Sequence, residues 1–283
     1  MAAEVRIPKA TQGAVAGLAA RGGPVLVLTG AGISAESGIP TFRGPEGFWR
    51  VGSRNYLPQE LATAAAFARM PEALWTWYLH RRGVCAAAAP NPAHAALVRL
   101  ERELRSRFLL VTQNVDGLHA RAGQERVLEI HGNLHLARCA AGCGHGPAPL
   151  PAGLPQTLAR DTALDRAALD LLRCPRCGAW LRPHVLWFDE SYREDLYRSE
   201  SALAAAARAE LLVVIGTSGA TTLPARIVGE VARRGRPIVA VDPEPGPFPE
   251  AAQRTPGGAF LRGRAAELVP ALVAVLTGAE PGA

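Results

Sequence analysis

The stretch Val25-Leu26-Val27-Leu28-Thr29-Gly30-Ala31-Gly32-Ile33-Ser34-Ala35-Glu36-Ser37-Gly38 decides the fold, because an apolar run passes directly into a glycine turn and then a helix. Apolar residues on both parities of a strand mean that both faces of its sheet are covered. Runs of the same kind recur at 108–112, 127–130, 185–188, 211–216 and 238–241, and between them 92–105, 201–209 and 223–234 have helical composition and length. The alternation predicts an α/β fold, a doubly wound, Rossmann-like parallel sheet. A glycine turn between strand and helix lets backbone N–H groups approach a pyrophosphate, although the same turn also suits a fold with no ligand. A simple dehydrogenase would carry a ribose-binding acid about 20 residues further on, after a second strand. Phe48-Trp49-Arg50-Val51-Gly52-Ser53-Arg54 supplies neither strand nor acid.

With 283 residues, 48% hydrophobic and 20% charged, the chain can bury a sizeable core, and wholesale disorder is excluded. No apolar run nears the roughly 18 residues that cross a bilayer. Residues 1–21 lack the basic head, apolar stretch and cleavage site of a secretory leader, so a cytoplasmic protein is expected. The formal net charge is +6, and Lys9 is the only lysine among 31 basic residues. The arginines are scattered, with clusters only at 99–107 and 233–236, and read as solvated faces rather than a nucleic-acid stripe. Neither nucleic acid nor membrane is an expected partner.

Two segments interrupt the alternation. Residues 44–89 are alanine-rich and helical in composition and carry Trp49, Trp75 and Trp77, while 139–177 hold four of the five cysteines and several prolines. Together they predict a smaller inserted domain, with 45–89 as a helical module and 136–182 as a zinc-binding module. Residues 1–44, 90–135 and 183–283 then form the sheet domain. Cys139-x3-Cys143 and Cys174-x2-Cys177 are two closely spaced pairs, which in a cytoplasmic chain read as four thiolates around one tetrahedral Zn2+ rather than as disulfides. Four thiolates leave no open coordination position, so the zinc is expected to be structural. Cys85 is left as an ordinary small hydrophobe.

The glycine turn continues as Ile39-Pro40-Thr41-Phe42-Arg43-Gly44, and Gly30 to Gly44 as a whole resembles the signature of the sirtuins, NAD-dependent protein-lysine deacylases. A second signature, Thr112-Gln113-Asn114-Val115-Asp116-Gly117-Leu118-His119, closes a strand. His131-Gly132 closes the next and Gly216-Thr217-Ser218 follows a later one, all in the family's order over 25–276. The resemblance implies that NAD is a reactant: the amide oxygen of an acylated protein lysine attacks C1′ of the nicotinamide ribose, nicotinamide leaves and an alkylimidate forms. It assigns His131 as the general base for a ribose hydroxyl, with free lysine and O-acyl-ADP-ribose as products. An imidazole suits that role because its ordinary pKa lies near neutrality. Read without the resemblance, a histidine at a strand end beside glycine better suits bonding a loop carbonyl.

The resemblance adds Asn114 to the catalytic pair and gives Gln113, Asn114 and Asp116 as contacts of the nicotinamide and its ribose, where amides can both donate and accept. It gives Gly30, Ala31, Gly32 and Glu36, with Thr41, Phe42, Arg43 and Trp49 of a cofactor loop, as further NAD contacts. Gly216, Thr217, Ser218, Asp242, Glu244 and Ala265 would meet its other ribose, phosphates and adenine. Asp242 stands where many relatives have asparagine, and a carboxylate accepts from ribose hydroxyls but cannot donate.

Tyr78 and Arg81, three apart on a predicted helix, share a face. They resemble the Tyr-x-x-Arg marker of the sirtuin subgroup that removes succinyl, malonyl and glutaryl groups, with acetyl a weaker substrate. The physics agrees, since a half-buried carboxylate needs a charge-assisted partner. Leu186, Phe188, Asp189 and Glu190 fall in the segment that resembles the substrate-pairing edge, where an acylated peptide adds as a strand. Asp189 replaces the usual glycine, and its side chain is expected to crowd the peptide or alter which flanking residues fit. The competing readings are an ADP-ribosyltransferase of the same family, a non-catalytic NAD or ADP-ribose module, and a dehydrogenase. His131, Tyr78 and Arg81 together favour the deacylase.

Overall fold

The computed structural model describes residues 7–41, 58–159 and 162–278. Helix α1 (Lys9–Arg21) leads into strand β1 (Val25–Thr29) and a 3-10 helix (Ala31–Ser37). Helices α2 (Pro58–Leu61), α3 (Ala64–Arg69), α4 (Pro71–Ala87) and α5 (Pro92–Leu104) precede β2 (Phe108–Thr112), α6 (Leu118–Ala122), β3 (Val127–Glu129), β4 (Gly132–Cys139) and β5 (Ala148–Pro149). After α7 (Arg166–Leu171), β6 (Leu181–Val185), α8 (Glu194–Tyr197) and α9 (Ser199–Arg208) come β7 (Leu211–Ile215), α10 (Thr222–Arg233) and β8 (Ile238–Asp242). The chain ends with α11 (Pro247–Arg254), β9 (Ala259–Arg262) and α12 (Ala265–Thr277).

Six strands in the order β3-β2-β1-β7-β8-β9 form a parallel sheet. The chain winds outward one way from β1 to β3 and the other way from β7 to β9, so the order reverses between β1 and β7. Val25 and Val27 enter a core layer with Leu97 and Leu100 of α5 and Val269 and Leu272 of α12. Their neighbours Leu26 and Leu28 enter the opposite layer with Ala202 and Ala206 of α9 and Ile227 and Val231 of α10. Successive strand residues point to opposite faces, so helices on both sides require apolar residues at every position. Each fully buried Leu or Val stabilises the fold by about 1.5–3 kcal/mol relative to exposure.

A second sheet, β5-β4-β6, is antiparallel and packs with α4 around Leu74, Trp75, Leu79, Leu181 and Trp187. Trp75 is 1% exposed, and its indole N–H donates to the Leu181 carbonyl at 2.8 Å, joining α4 to β6.

The structure corrects one strand and adds three, β4, β5 and β9. The expected parallel strand at 185–188 is instead β6, Leu181–Val185, antiparallel to β4. Beyond it the chain turns, with the Trp187 N–H donating to the Glu190 carboxylate at 3.0 Å. An apolar run cannot separate a buried turn from a strand by period alone. Strand β9 was not anticipated, because four residues between Gly258 and Gly263 are too few to display a period. The helix after the glycine turn is 3-10, closed by Gly38 at φ 82°. Helices α2 to α4 occupy the described part of the alanine-rich segment, and Phe42, Arg43 and Trp49 lie outside the described residues.

Candidate active site

In sheets of this type ligands bind beyond the C-terminal strand ends, where the strand order reverses. Here Gly30 N–H donates to the Ile215 carbonyl at 3.0 Å and Gly32 N–H to that of Gly216 at 2.8 Å, bringing the turns after β1 and β7 into contact. A Cβ on Gly32 would lie 2.5 Å from Gly216 Cα, and one on Gly30 would lie 2.7 Å from the Gly216 carbonyl oxygen, so a side chain at either position would force the turns apart. A cleft opens beside this contact, lined by Ala31, Ser34, Pro40, Arg81, Asn114 and Asp116.

The residues after β2 are tied into this floor. Asn114 Nδ2 donates to the Gly30 carbonyl and to Ser34 Oγ, both at 3.1 Å, and Ser34 Oγ donates to Asp116 Oδ2 at 2.8 Å. Leu118 N–H donates to Asp116 Oδ1 at 2.8 Å. Burial raises the Asp116 carboxyl above its ordinary pKa, opposed by the hydrogen bonds from Leu118 and Ser34. Gln113 donates through Nε2 to Thr217 Oγ1 at 2.7 Å and accepts at Oε1 from Thr221 Oγ1 at 2.9 Å, linking β2 to the turn after β7. His119 Nε2 lies 3.0 Å from Thr29 Oγ1, beneath the floor, in a structural position.

His131 follows β3. Its Nδ1 lies 3.1 Å from the Gln113 carbonyl, which can only accept, so Nδ1 carries the proton and Nε2 the basic lone pair. Nε2 accepts from the Tyr192 hydroxyl at 2.8 Å. Burial pushes the imidazole down to about 4, opposed by the bond to Gln113, so the ring is neutral at pH 7. The loop-carbonyl bond and the basic nitrogen that accepts from Tyr192 coexist on the one ring.

On α4, Tyr78 and Arg81 are 2% and 4% exposed and stand one turn apart. The Trp187 indole N–H donates to the Tyr78 oxygen at 2.7 Å. An indole N–H is a donor only, so the phenol proton stays available to an acceptor. The Arg81 guanidinium lies 4.7 Å from the Trp77 ring centre and 5.5 Å from that of Tyr78, and it lines the same cleft as Asn114 and Asp116.

Other expected contacts are distributed less uniformly. Leu186 N–H pairs with the His131 carbonyl at 2.9 Å, and Phe188, 55% exposed, donates its N–H to Ala62 at 3.0 Å. The Asp189 carboxylate turns to the start of α3, accepting from Ala64 N–H at 2.8 Å and Ala65 N–H at 3.1 Å. Glu190 is held by Arg182 and Arg138. Both acids are therefore engaged with the scaffold. Glu36 accepts from Ala266 N–H at 2.7 Å, at the start of α12 and next to the buried Ala265. Asp242, at the end of β8, accepts from Glu244 N–H at 3.0 Å, and burial raises its carboxyl. Thr217 is buried, Thr41 is half-buried, and Ser218 and Glu244 are exposed. The sequence reading missed Tyr192, Ser34 as the link between Asn114 and Asp116, and Trp187 as the partner of Tyr78. The motif spacing of Ser34 could have indicated it, whereas Tyr192 carries no local signal.

The sulfurs of Cys139, Cys143, Cys174 and Cys177 all lie within 4.8 Å of one another, with 3.5 Å between Cys139 and Cys177. That spacing fits four Zn–S bonds of about 2.3 Å around one ion and is far too long for disulfides. The four cysteines are placed to hold a structural zinc.

A cleft at the reversal point of a doubly wound sheet, beside a smaller lobe carrying a four-cysteine metal site, defines a nucleotide-binding α/β enzyme class. The Sir2 family pattern matches residues 30–222. The chain is 48% identical over 228 residues to an "NAD-dependent protein deacylase" of Thermus thermophilus, covering 79% of this chain and 81% of that one. It is 38% identical over 249 residues to a protein of the same description from Leptospira interrogans, covering 88% and 91%. A crystal structure described as a Sir2 homolog–NAD complex superposes with a TM-score of 0.76 at 34% identity, covering 96% of this chain and 95% of that one. The protein belongs to the Sir2 family.

Proposed function

We propose that this protein is an NAD-dependent protein-lysine deacylase that favours acyl groups ending in a carboxylate. Arg81 carries the acyl preference: its guanidinium lines the cleft that Asn114 and Asp116 also line, beside a phenol whose oxygen is engaged by Trp187. NAD supplies the electrophilic ribose carbon and the departing nicotinamide. The glycine turn after β1 would meet the pyrophosphate through its backbone, and Asn114 and Asp116, tied to the same floor, would meet the nicotinamide ribose. His131 is neutral, with its lone pair on Nε2, and suits removal of a proton from a ribose hydroxyl. Arg81 and the Tyr78 hydroxyl would take the distal carboxylate of a succinyl, malonyl or glutaryl chain by charge-assisted hydrogen bonds. The acylated lysine would come from a protein whose backbone lies along 186–188.

Lysine peptides carrying succinyl, malonyl, glutaryl or acetyl groups, incubated with NAD, test the reading. Deacylated peptide and nicotinamide are expected, faster for the three acidic groups than for acetyl. Equal or faster acetyl turnover removes the acyl preference, and ADP-ribosylated protein without deacylation replaces the deacylase with a transferase.

A further inference from the structure

The only hydrogen-bond donor found on His131 Nε2 among the described residues is the Tyr192 hydroxyl, at 2.8 Å. The proton accounting is closed. The Gln113 carbonyl can only accept, so Nδ1 is the protonated nitrogen, Nε2 is a bare lone pair, and the phenol must be the donor. The two rings stand 5.8 Å apart, inclined by 34°, a tilted packing that holds the phenol at the edge of the imidazole. Tyr192 is half-buried, between β6 and α8, and packs on the core layer that contains Ile130. Thr221, next to the phenol, spends its hydroxyl proton on Gln113 Oε1 at 2.9 Å, so the phenol proton remains with His131.

An imidazole nitrogen has one lone pair in the ring plane, and it serves one strong donor at a time. A ribose hydroxyl that gives its proton to Nε2 must first donate a hydrogen bond to that same lone pair. In this structure the Tyr192 phenol occupies that place. We propose that Tyr192 is a positioning residue that fixes the tautomer of His131 and covers its basic nitrogen until a ribose hydroxyl displaces the phenol. No covalent bond changes: one O–H···N hydrogen bond is exchanged for another. The irregular backbone around Tyr192, followed by a helix of only four residues, is suited to let the phenol swing aside. The inference rests on the NAD reading above, because it needs a ribose hydroxyl as the displacing group.

Calorimetry with NAD and with ADP-ribose, on the wild type and on Tyr192→Phe, tests it. Removing the competing donor is expected to tighten both ligands by about fivefold, within the range a net hydrogen bond commands. Unchanged or weaker binding to the variant overturns the proposal, whereas no binding to the wild type overturns the NAD reading itself. A second measurement does not depend on the variant folding. In wild-type protein labelled with 15N-histidine, Nδ1 of His131 should be the protonated nitrogen, and the Nε2 resonance should move when ADP-ribose is added. An Nε2 that is protonated in the free protein, or that does not respond to the ligand, overturns it as well.

Discussion

Arg81 packs its guanidinium against Trp77 and Tyr78 of its own helix, and burial lowers its pKa from a very high ordinary value, leaving it cationic at neutral pH. Methionine is of similar length and equally able to lie on aromatic rings, so Arg81→Met removes the charge while keeping most of the packing. A hydrogen bond to a charged group contributes about 1.5–3 kcal/mol. The expected result is a fall of about 10- to 100-fold in kcat/KM for a succinyl-lysine peptide, with acetyl-lysine turnover reduced by a few fold at most. Parallel kinetics on the two peptides read the ratio, and equal losses would place Arg81 in the scaffold rather than at the acyl chain. His131 presents the same economy in one ring: the carbonyl that a structural histidine would seek holds Nδ1, and that bond leaves the basic nitrogen facing the Tyr192 hydroxyl.

Helix α3 has only six residues and depends on its first turn being satisfied. Thr63 Oγ1 accepts from Ala66 N–H at 3.0 Å, and Asp189 accepts from the N–H groups of Ala64 and Ala65. The Asp189 carboxylate thereby completes the cap of α3, and negative charge is favoured at a helix N-terminus. Replacing it as Asp189→Gly should lower unfolding free energy by about 1 kcal/mol, read from urea titration, while NAD affinity is retained. A variant as stable as the wild type would show that the cap contributes nothing. This pairing spans 125 residues of sequence, and the Tyr192–His131 bond spans 61, so neither could be read from local pattern. Five of the six parallel strands were legible for the opposite reason, since burial on two faces writes itself into consecutive residues such as Leu211 to Ile215. The cysteine site was legible because each pair lies within one tight turn, and the glycine contact because Gly30, Gly32 and Gly216 mark strand ends. The run at 185–188 misled because Trp187 is buried in a turn by Tyr78 and Arg182 rather than by strand pairing.

Across the whole molecule, buried imidazoles set how stability answers to acid. Burial pushes His94 and His131 down to about 4 and His119 to about 3, and the rings of His94 and His119 pack 4.9 Å apart, tilted by 55°. The unfolded chain protonates these rings near pH 6.5, while the folded protein refuses the proton until much lower pH. Between those limits the unfolded state binds more protons, so stability rises with pH and is lost as pH falls from 6.5 toward 4. Glu129 acts in the opposite direction: burial raises it to about 7, and the folded state keeps a proton that the unfolded chain releases above its ordinary value of 4.5. Burial raises Asp116 and Asp242 in the same direction as Glu129, while His184, pushed down to about 4, adds to the three rings above. His94 isolates the effect, because its Nδ1 accepts the Asn91 N–H in a capping box at the start of α5, where glutamine can accept in its place. His94→Gln should therefore flatten the dependence of unfolding free energy on pH between 4.5 and 6 by about one proton, or about 1.4 kcal/mol per pH unit. Urea titrations of wild type and variant at matched pH read the difference, and the shared loss of zinc thiolates in acid cancels between them. An unchanged slope would show that His94 takes up its proton equally in the folded and unfolded chains, and that its burial is not what makes the fold acid-sensitive.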